Sequence, residues 1–399
     1  MSYNVLIVGA SIAGPALAHC LNRMGFRTTV VERAQAPRPG GQAVDLRGIA
    51  KDALRRIDLD TEVRAACTDT SGATYVTRRN RPIVTLSADM LDGDGFIAEI
   101  EILRGDLSDV FRRATEDTTE YRFGDHVVGL DQHPDGVHVR FAGGRNERFD
   151  VVVGADGVHS STRALLFGPE AGTRHYLGHY LAFYTVPNHL HLDRRAVSYA
   201  EPGRSVGIRT IHDNRDAMTF FGFRSAPLDV DHRDTAAQRA ILRERFSGMA
   251  WEVPRLLQHL DAAPDFYFDS CTQVELERWS DGRVGLLGDA AFCPSPLSGQ
   301  GTSLALVGAY VLAGEMAAHR DDPAAAFSEY ERRMRPYVEA NQKMGRDNAR
   351  MTNPPSRRGL RLQYAMIWAM VHLPGSSLVM RRMMRGLREI DLPDYPIPV

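Results

Sequence analysis

Lysine is almost missing from this sequence: Lys51 and Lys343 are the only two among 48 basic residues. Positive charge is carried by arginine, a bias of genome composition more than a functional signature. Against 50 acidic residues the formal net charge is -2, which gives no global pull toward nucleic acid or an anionic membrane and makes small molecules the expected partners. Cysteine is scarce too. Cys20, Cys67, Cys271 and Cys293 are scattered without a C-x-x-C pair, so neither a thiolate metal site nor a disulfide scaffold is indicated, and reduced thiols in a cytoplasmic protein are expected. MSYNVLIVGA has no basic region ahead of its apolar run and does not read as a signal peptide; the chain is expected to begin at its first strand. Repeats and low-complexity tracts are absent. So is an uninterrupted membrane span near the C-terminus: Arg358 to Arg385, bearing Met366, Trp368, Met370, Met380, Met383 and Met384, is broken by charge, Pro374 and Gly375.

What is present begins at Asn4. Val5 to Val8 reads as a buried parallel strand that breaks at Gly9 into a turn of small residues followed by a helix. Gly9, Ser11 and Gly14, with Ile12 and Ala13 between them, occupy the three positions of the G-x-G-x-x-G fingerprint: tight turn, close approach of backbone to a pyrophosphate, close packing of helix on strand. Ser replaces the second Gly with a short side chain. The next strand, Thr28 to Val31, ends on Glu32, where a carboxylate can accept the hydroxyls of an adenosine ribose. Strand, turn, helix, strand and acid together specify dinucleotide binding far better than the glycines alone.

At 399 residues, 43% of them hydrophobic, the chain has material for two lobes. A Pro- and Gly-rich loop, Ala34 to Gln42, leads to an extended piece, Ala43 to Leu46, and a helix from Ile49 to Ile57. Arg38, Asp45 and Arg47 crowd this region, either as solvated surface or beside a cofactor. Thr74 to Ile100 alternates as half-exposed strands do; Leu103, Leu107, Val110 and Phe111 then predict a helix from Arg104 to Thr115. Val127 to Leu130 and Val137 to Phe141 flank Pro134-Asp135-Gly136 as a hairpin. Val151 to Val153 runs into Gly154-Ala155-Asp156-Gly157, a second strand-to-glycine turn, with a short helix from Ser161. Tyr180 to Leu276 mixes strands, among them Leu181 to Val186 and Met218 to Arg224, with helices near Thr235 to Phe246 and Trp251 to Leu260, and marks a separate lobe. Val284 to Leu287 ends in Gly288-Asp289-Ala290-Ala291; after Pro294, Pro296 and Ser298-Gly299-Gln300-Gly301 come a helix to Ala318 and a more charged one from Pro323 to Arg346. Gly299 and Gly301 open the first of these, where free N–H groups and the helix dipole can stabilise negative charge.

In this order the three strand-to-turn motifs, GASIAG with Glu32, GADG and GDAA, resemble the single-component FAD-dependent aromatic hydroxylases, the group containing para-hydroxybenzoate hydroxylase. Within it the chain looks most like the tetracycline-inactivating monooxygenases and the aromatic polyketide hydroxylases. The resemblance implies an α/β architecture: a discontinuous Rossmann-like FAD-binding lobe (1–73, 101–175, 277–346), a mixed-sheet substrate lobe (74–100, 176–276) and a long C-terminal helix (347–399). It also implies roles by position. Glu32 holds the adenosine ribose, with Arg33 at the adenine end; Arg104 contacts the FAD chain, Asp289 the ribitol or pyrophosphate, and Asp45 the flavin side. Asp156 is associated with FAD and the nicotinamide cofactor, and Arg38 with NADPH. Gly299 and Gly301 then lie at the flavin pyrimidine ring. Pro296 matches the second Pro of a Pro-Pro pair beside the reacting flavin, its missing N–H leaving a carbonyl as acceptor. Two residues depart from the pattern: Phe292 stands for the usual His, and Ser295 for the first Pro.

The implied activity is monooxygenation. NADPH or NADH reduces FAD, O2 adds to form a flavin C4a-hydroperoxide, and one oxygen passes to an aromatic or polycyclic small molecule. The cofactor carries the hard chemistry, which accounts for the lack of an acid-base dyad. Substrate contacts are expected from Tyr184, Arg209, Phe221 and Arg224, with Leu297 above the flavin; the Met and Trp residues of the last helix form an apolar wall or interlobe packing. Rival readings are a flavin-dependent dehydrogenase or reductase, a non-catalytic flavin-binding carrier, and a halogenase, whose tunnel lysine and Trp-rich motif have no counterpart. Hydroxylation or Baeyer-Villiger insertion, and monomer or weak dimer, stay open.

Overall fold

A computed structural model describes residues 3–37, 40–87, 98–169, 172–211, 214–373 and 390–396. The apolar run after Asn4 forms the strand Asn4–Val8, in which Val5, Leu6 and Ile7 expose nothing. Covered on both faces, it takes parallel partners on each side. Arg27–Glu32 and then Thr119–Phe123 extend the sheet one way; Val151–Gly154, Val284–Leu286 and a short antiparallel Ser280–Asp281 extend it the other. The three strands that end in glycine turns are therefore neighbours. Thr119–Phe123 escaped the sequence reading because TEYRF carries no apolar run and lies at the end of this sheet.

Helices Ala13–Arg23 and Gly301–Ala318 cover one face of the sheet and pack on each other. An antiparallel meander, Val127–His133, Gly136–Phe141 and Asn146–Phe149, covers the other, with Val137, Val139 and Phe149 against Leu6, Val8 and Val152. Gly301–Ala318 has the length and apolarity of a membrane span, but 78% of that stretch is buried inside the protein, as the central helix of a soluble core would be.

The second lobe is a seven-stranded sheet in the order Tyr267–Glu275, Thr173–Pro187, Asp216–Arg224, Arg204–Ile211, Arg195–Glu201, Gly72–Val76, Pro82–Ser87. All its pairs are antiparallel except Arg195–Glu201 with Gly72–Val76, a join between distant segments. One face, with Tyr180, Ala182, Tyr184, Val206, Ile208, Phe221 and Phe223, forms a common core with Leu242, Phe246 and Leu256 of the helices Thr235–Phe246 and Val253–Gln258. Side chains alternate in a strand, so Phe183, Met218 and Ile211 look the other way and meet Leu103 and Ala43 of the cofactor lobe.

Helix Pro323–Met351 joins the two lobes and runs past the expected end at Arg346. The extra turn ends on Arg224, whose Nε donates to the carbonyls of Thr352 (3.0 Å) and Asn353 (2.9 Å) and whose Nη2 donates to those of Ala349 (2.8 Å) and Arg350 (2.9 Å). These bonds gather carbonyls left without an amide partner at the helix C-terminus and in the chain just past it. Helix Arg357–His372 then lies along the second sheet, Tyr364 touching Tyr75 with ring centroids 5.7 Å apart; Met380, Met383 and Met384 fall outside the described residues. The last described segment returns to the first lobe. Ile390 and Leu392 are buried, and Tyr395 fills the notch left by Gly314, its hydroxyl donating to Glu315 Oε1 at 2.5 Å. Tyr310 Oη donates to the Pro393 carbonyl at 2.8 Å.

Candidate cofactor cleft

Three glycine turns meet at one place. A Cβ on Gly9, at φ 111°, would sit 2.5 Å from the Ala155 carbonyl oxygen and 3.0 Å from Asp156 Cα, so the Asp-Gly turn is pressed onto the fingerprint turn. Gly288, at φ 65°, is wedged between two helices: its Cβ would lie 3.2 Å from Ala13 Cβ and 3.7 Å from Ala305 Cβ. Neither site tolerates a side chain in place or conformation. Ser11 accepts from Arg104 Nε at 3.1 Å, and Ser108, one turn further along the same helix, donates to the carbonyls of Ala10 (3.2 Å) and Ser11 (2.8 Å). Ser108 was missed in the sequence, although its spacing from Arg104 puts both on one helix face.

Helix Ala13–Arg23 starts at Ile12 with no side-chain cap and no acid in its first turn. Gly301–Ala318 starts the same way, behind Gly299 in the left-handed conformation at φ 66° and Gln300. Two positive helix ends are left open to an anion. Gln300 is 2% exposed, and its Oε1 has no hydrogen-bond partner among the described residues. Glu32 is pinned beside the fingerprint turn: Ala10 N–H donates to Oε2 and Ala34 N–H to Oε1, both at 2.9 Å. Arg33 is exposed, and Arg38 lies outside the described residues.

Asp289 is reached by solvent through the cleft, yet protein surrounds it closely enough that burial raises its pKa from the ordinary 3.8, with Cys293 and Arg104 opposing. Gly301 is beside it; a Cβ there would be 3.7 Å from Asp289 Oδ1. An acid that is both deep and wetted lines a cleft. Across from it Tyr267 is pushed well above the usual 10.0, by burial first and then by Asp269. Asp45 holds Arg47 through Nε at 3.1 Å and Nη2 at 2.8 Å, and Arg47 N–H donates to Ser303 Oγ at 3.2 Å, in the first turn of Gly301–Ala318. Arg47 is only 7% exposed, which removes the solvated-surface reading of this pair.

Asp156 is committed to its own turn. Oδ1 accepts from Ser160 Oγ at 2.5 Å; Oδ2 accepts from Ser161 Oγ (3.1 Å), Thr162 N–H (2.9 Å) and Thr162 Oγ1 (3.0 Å), capping the helix Ser161–Phe167. Arg163, missed from the sequence, ties this turn to the third: its guanidinium donates to the carbonyls of Val158 (2.7 Å) and Ala290 (2.9 Å). The signal was an arginine in the helix right after Asp-Gly. Burial lowers its pKa, opposed by Asp156.

Pro296 opens the short turn Pro296–Ser298, and its carbonyl accepts from Gly299 N–H at 3.1 Å, so the acceptor expected to be free is engaged within the turn. Ser295 stands at φ 73°, a value closed to proline, which accounts for the missing first Pro. Phe292 is a core residue, 4.7 Å from the Trp279 ring.

Of the expected substrate contacts, Tyr184 and Phe221 are corrected. Both are fully buried on the helix-covered face, stacked at 5.5 Å, with Tyr184 Oη donating to the Leu256 carbonyl at 3.0 Å. Strand alternation turned the wrong side chains toward the ligand in the sequence reading. Arg224 is the helix cap described above. Arg209 does face the cofactor lobe, paired at 2.8 Å with Glu101, which also accepts from Thr68 (2.5 Å) and Thr70 (2.8 Å). Leu297 is half-buried, its carbonyl held by Asn348 at 2.8 Å. The residues that do line this face form one cross-strand row, Tyr267, Phe183, Phe220, Gly207, Ser198 and Tyr75. Its first three rings lie 6.1 and 5.6 Å apart and are half-buried. A separate cavity of about 630 Å³ lies between the Asp-Gly turn and the second lobe, lined by His159, Arg163, Arg174, Tyr180, His232 and Asp269.

Open helix N-termini, a fingerprint turn no side chain could enter, Arg104 and a pinned acid suit an adenine dinucleotide, and the fold defines a flavoprotein of the dinucleotide-binding type. The chain belongs to the FAD binding domain family, whose pattern matches residues 2–344. A flavin-dependent monooxygenase from an unknown prokaryotic organism is 42% identical over 345 residues, spanning 86% of this chain and 88% of that one. Among solved structures, tetracycline destructase Tet(55) is 37% identical with a TM-score of 0.85, covering 99% of each chain. Tet(51) is 33% identical with a TM-score of 0.87, covering 99% of this chain and 100% of that one. The protein is thus an FAD-binding member of the flavin-dependent monooxygenase class.

Proposed function

We propose that this enzyme uses NADPH or NADH and O2 to insert one oxygen into a flat, electron-rich polycyclic phenol or enol. The observation that carries the reading is the half-buried row Tyr267, Phe183 and Phe220, which faces the cofactor lobe where Asp289 and Arg104 influence Tyr267. Aromatic rings in such a row take a planar ligand by offset stacking. The tetracycline destructases that share this fold bear a name consistent with such a ligand.

When bound, FAD supplies the redox chemistry. The chain's own residues do the rest. The uncapped start of Ala13–Arg23, with Arg104, holds the pyrophosphate, and Glu32 holds the ribose. The open end of Gly301–Ala318 stabilises negative charge beside Gly299 and Gly301. The aromatic row excludes water and orients the ligand, and Arg209, kept in place by Glu101, offers its guanidinium at the row's edge to an enol or phenol oxygen. For the nicotinamide reductant, the cavity beside the Asp-Gly turn presents exposed Arg174 and the stacked imidazoles of His159 and His232, a setting that suits a polyanionic dinucleotide.

The test is anaerobic reduction of the FAD-loaded protein by NADPH and by NADH, followed by oxygen, with a panel of planar polycyclic phenols and enols. Ligand-stimulated oxygen uptake with a product heavier by one oxygen atom is expected. Failure of both nucleotides to reduce the flavin would leave the carrier reading in its place; reduction with peroxide as the sole product across the panel would favour a reductase.

A further inference from the structure

The helix Arg357–His372 is apolar on two opposite sides. Leu360, Tyr364, Ile367 and Val371 recur at helical spacing and are partly covered, Tyr364 lying against Tyr75 on the second sheet. Turned away from them, Leu362, Met366 and Leu373 are 63%, 47% and 53% exposed, with Ala369 in the same line. Trp368, 48% exposed, leaves the helix between the two apolar sides, on the same side as Arg357 and Arg361, and stacks on His372 at 4.7 Å. A surface helix of a soluble protein places polar residues on its outward side; this one presents a crest of large side chains, the kind of contiguous patch that marks an interaction surface.

Its charge says what kind. Arg357, Arg358 and Arg361 are exposed, and none forms an ion pair among the described residues. The helix contains no Asp or Glu. From Asn348 to Arg388 the sequence carries eight arginines and no acidic residue at all, in a chain whose formal net charge is -2. Unpaired arginines beside exposed Leu, Met and Trp are the chemistry of a helix lying in the headgroup region of an anionic bilayer, apolar crest in the acyl boundary and guanidinium groups on phosphate.

We propose that Arg357–His372 docks this protein on an anionic lipid surface. The attachment is peripheral and local: Leu362, Met366 and Leu373 enter the interface, Trp368 sits at headgroup depth, and the arginines supply the electrostatic part. The other side of the helix stays on the second sheet, so docking places that lobe against the bilayer.

The test uses the full-length, FAD-loaded protein with vesicles of phosphatidylglycerol and phosphatidylcholine or of phosphatidylcholine alone, read by co-sedimentation and by tryptophan emission. Binding to the anionic vesicles alone, weakened by high salt, is expected, with a blue shift that Trp368→Phe abolishes. The double variant Leu362→Glu, Met366→Glu should lose roughly tenfold or more in partitioning, while keeping its flavin spectrum and melting temperature, because both residues are exposed. Several outcomes overturn the proposal: no binding to anionic vesicles, binding that the double variant leaves intact, a melting temperature that falls in the variant because the crest is covered by the chain itself, or a dimer in light scattering that the variant breaks.

Discussion

Phe220 and Phe221 are adjacent, yet their side chains leave the strand on opposite faces, and truncating each should produce different losses. Phe221 has no exposed surface, stacks on Tyr184 at 5.5 Å and meets the Phe246 ring edge-on at 4.9 Å. Replacing a buried Phe by Ala costs about 3–5 kcal/mol through lost transfer energy and the cavity left behind, and the loss of two ring pairs favours the upper half. With an unfolding entropy of roughly 2.1 cal/mol/K per residue, about 4 kcal/mol lowers the melting temperature of a chain this size by about 5 °C if it unfolds as one unit. Phe220 is half-buried on the cofactor-facing row, 5.6 Å from Phe183; Phe220→Ala should cost roughly 1–2 kcal/mol and act mainly on ligand binding. The assays are thermal unfolding followed by near-UV circular dichroism, and ligand-stimulated oxygen uptake against ligand concentration. Phe221→Ala should melt earlier with KM unchanged, and Phe220→Ala should raise KM with a small change in melting. If Phe221→Ala moved KM at unchanged stability, the assignment of faces would be wrong.

Asp289→Asn tests the wetted acid. Burial raises its pKa in the folded protein from 3.8, so the folded state keeps a proton that the unfolded state has released, and the stability of the FAD-free protein falls as pH rises from 3.8 through the raised value. The Asn variant should remove that decline in a pH series of denaturant titrations while weakening FAD binding in a fluorescence titration. Gly9→Ala should abolish FAD loading, measured by the flavin absorbance of purified protein, since its Cβ would lie 2.5 Å from the Ala155 carbonyl oxygen at φ 111°. Arg224→Ala should cost about 2–3 kcal/mol by stranding the carbonyls of Arg350, Thr352 and Asn353 at the end of Pro323–Met351, that of Ala349 keeping His179 Nε2, visible as fraying in hydrogen exchange with KM unaffected. Arg224→Lys should fail to rescue it, because an ammonium cannot span the set.

Much of the cofactor lobe was legible because its signals are local. A glycine turn after a buried strand needs only a few residues to declare itself, and Gly9, Gly154 and Gly288 each do so in sequence order. The second lobe was legible in kind but not in detail. Its parallel join of Gly72–Val76 to Arg195–Glu201 is made by pairing across the chain, for which no local pattern exists. The expected ligand contacts Tyr184 and Phe221 show how period-2 strands mislead when both faces are apolar: one face packs on helices, the other on ligand, and sequence hydrophobicity does not separate them. Arg224 was similarly opaque, since a cap at a helix end more than a hundred residues away is a tertiary fact. Asp156 was legible as a special position, whereas its full commitment to Ser160, Ser161 and Thr162 required coordinates.

Tyr395 in the notch at Gly314 carries a consequence for anyone cutting this gene. The FAD-binding family pattern spans residues 2–344, and that boundary invites an expression clone that ends there. Such a clone would leave a ring-shaped hollow in the flank of the helix whose other end opens onto the cofactor, and would take the Pro393 carbonyl from Tyr310 and the Tyr395 hydroxyl from the nearly inaccessible Glu315. The family pattern ends at 344, but the keystone of the first lobe lies within residues 390–396, and a fragment drawn by that pattern alone would be a vault without it.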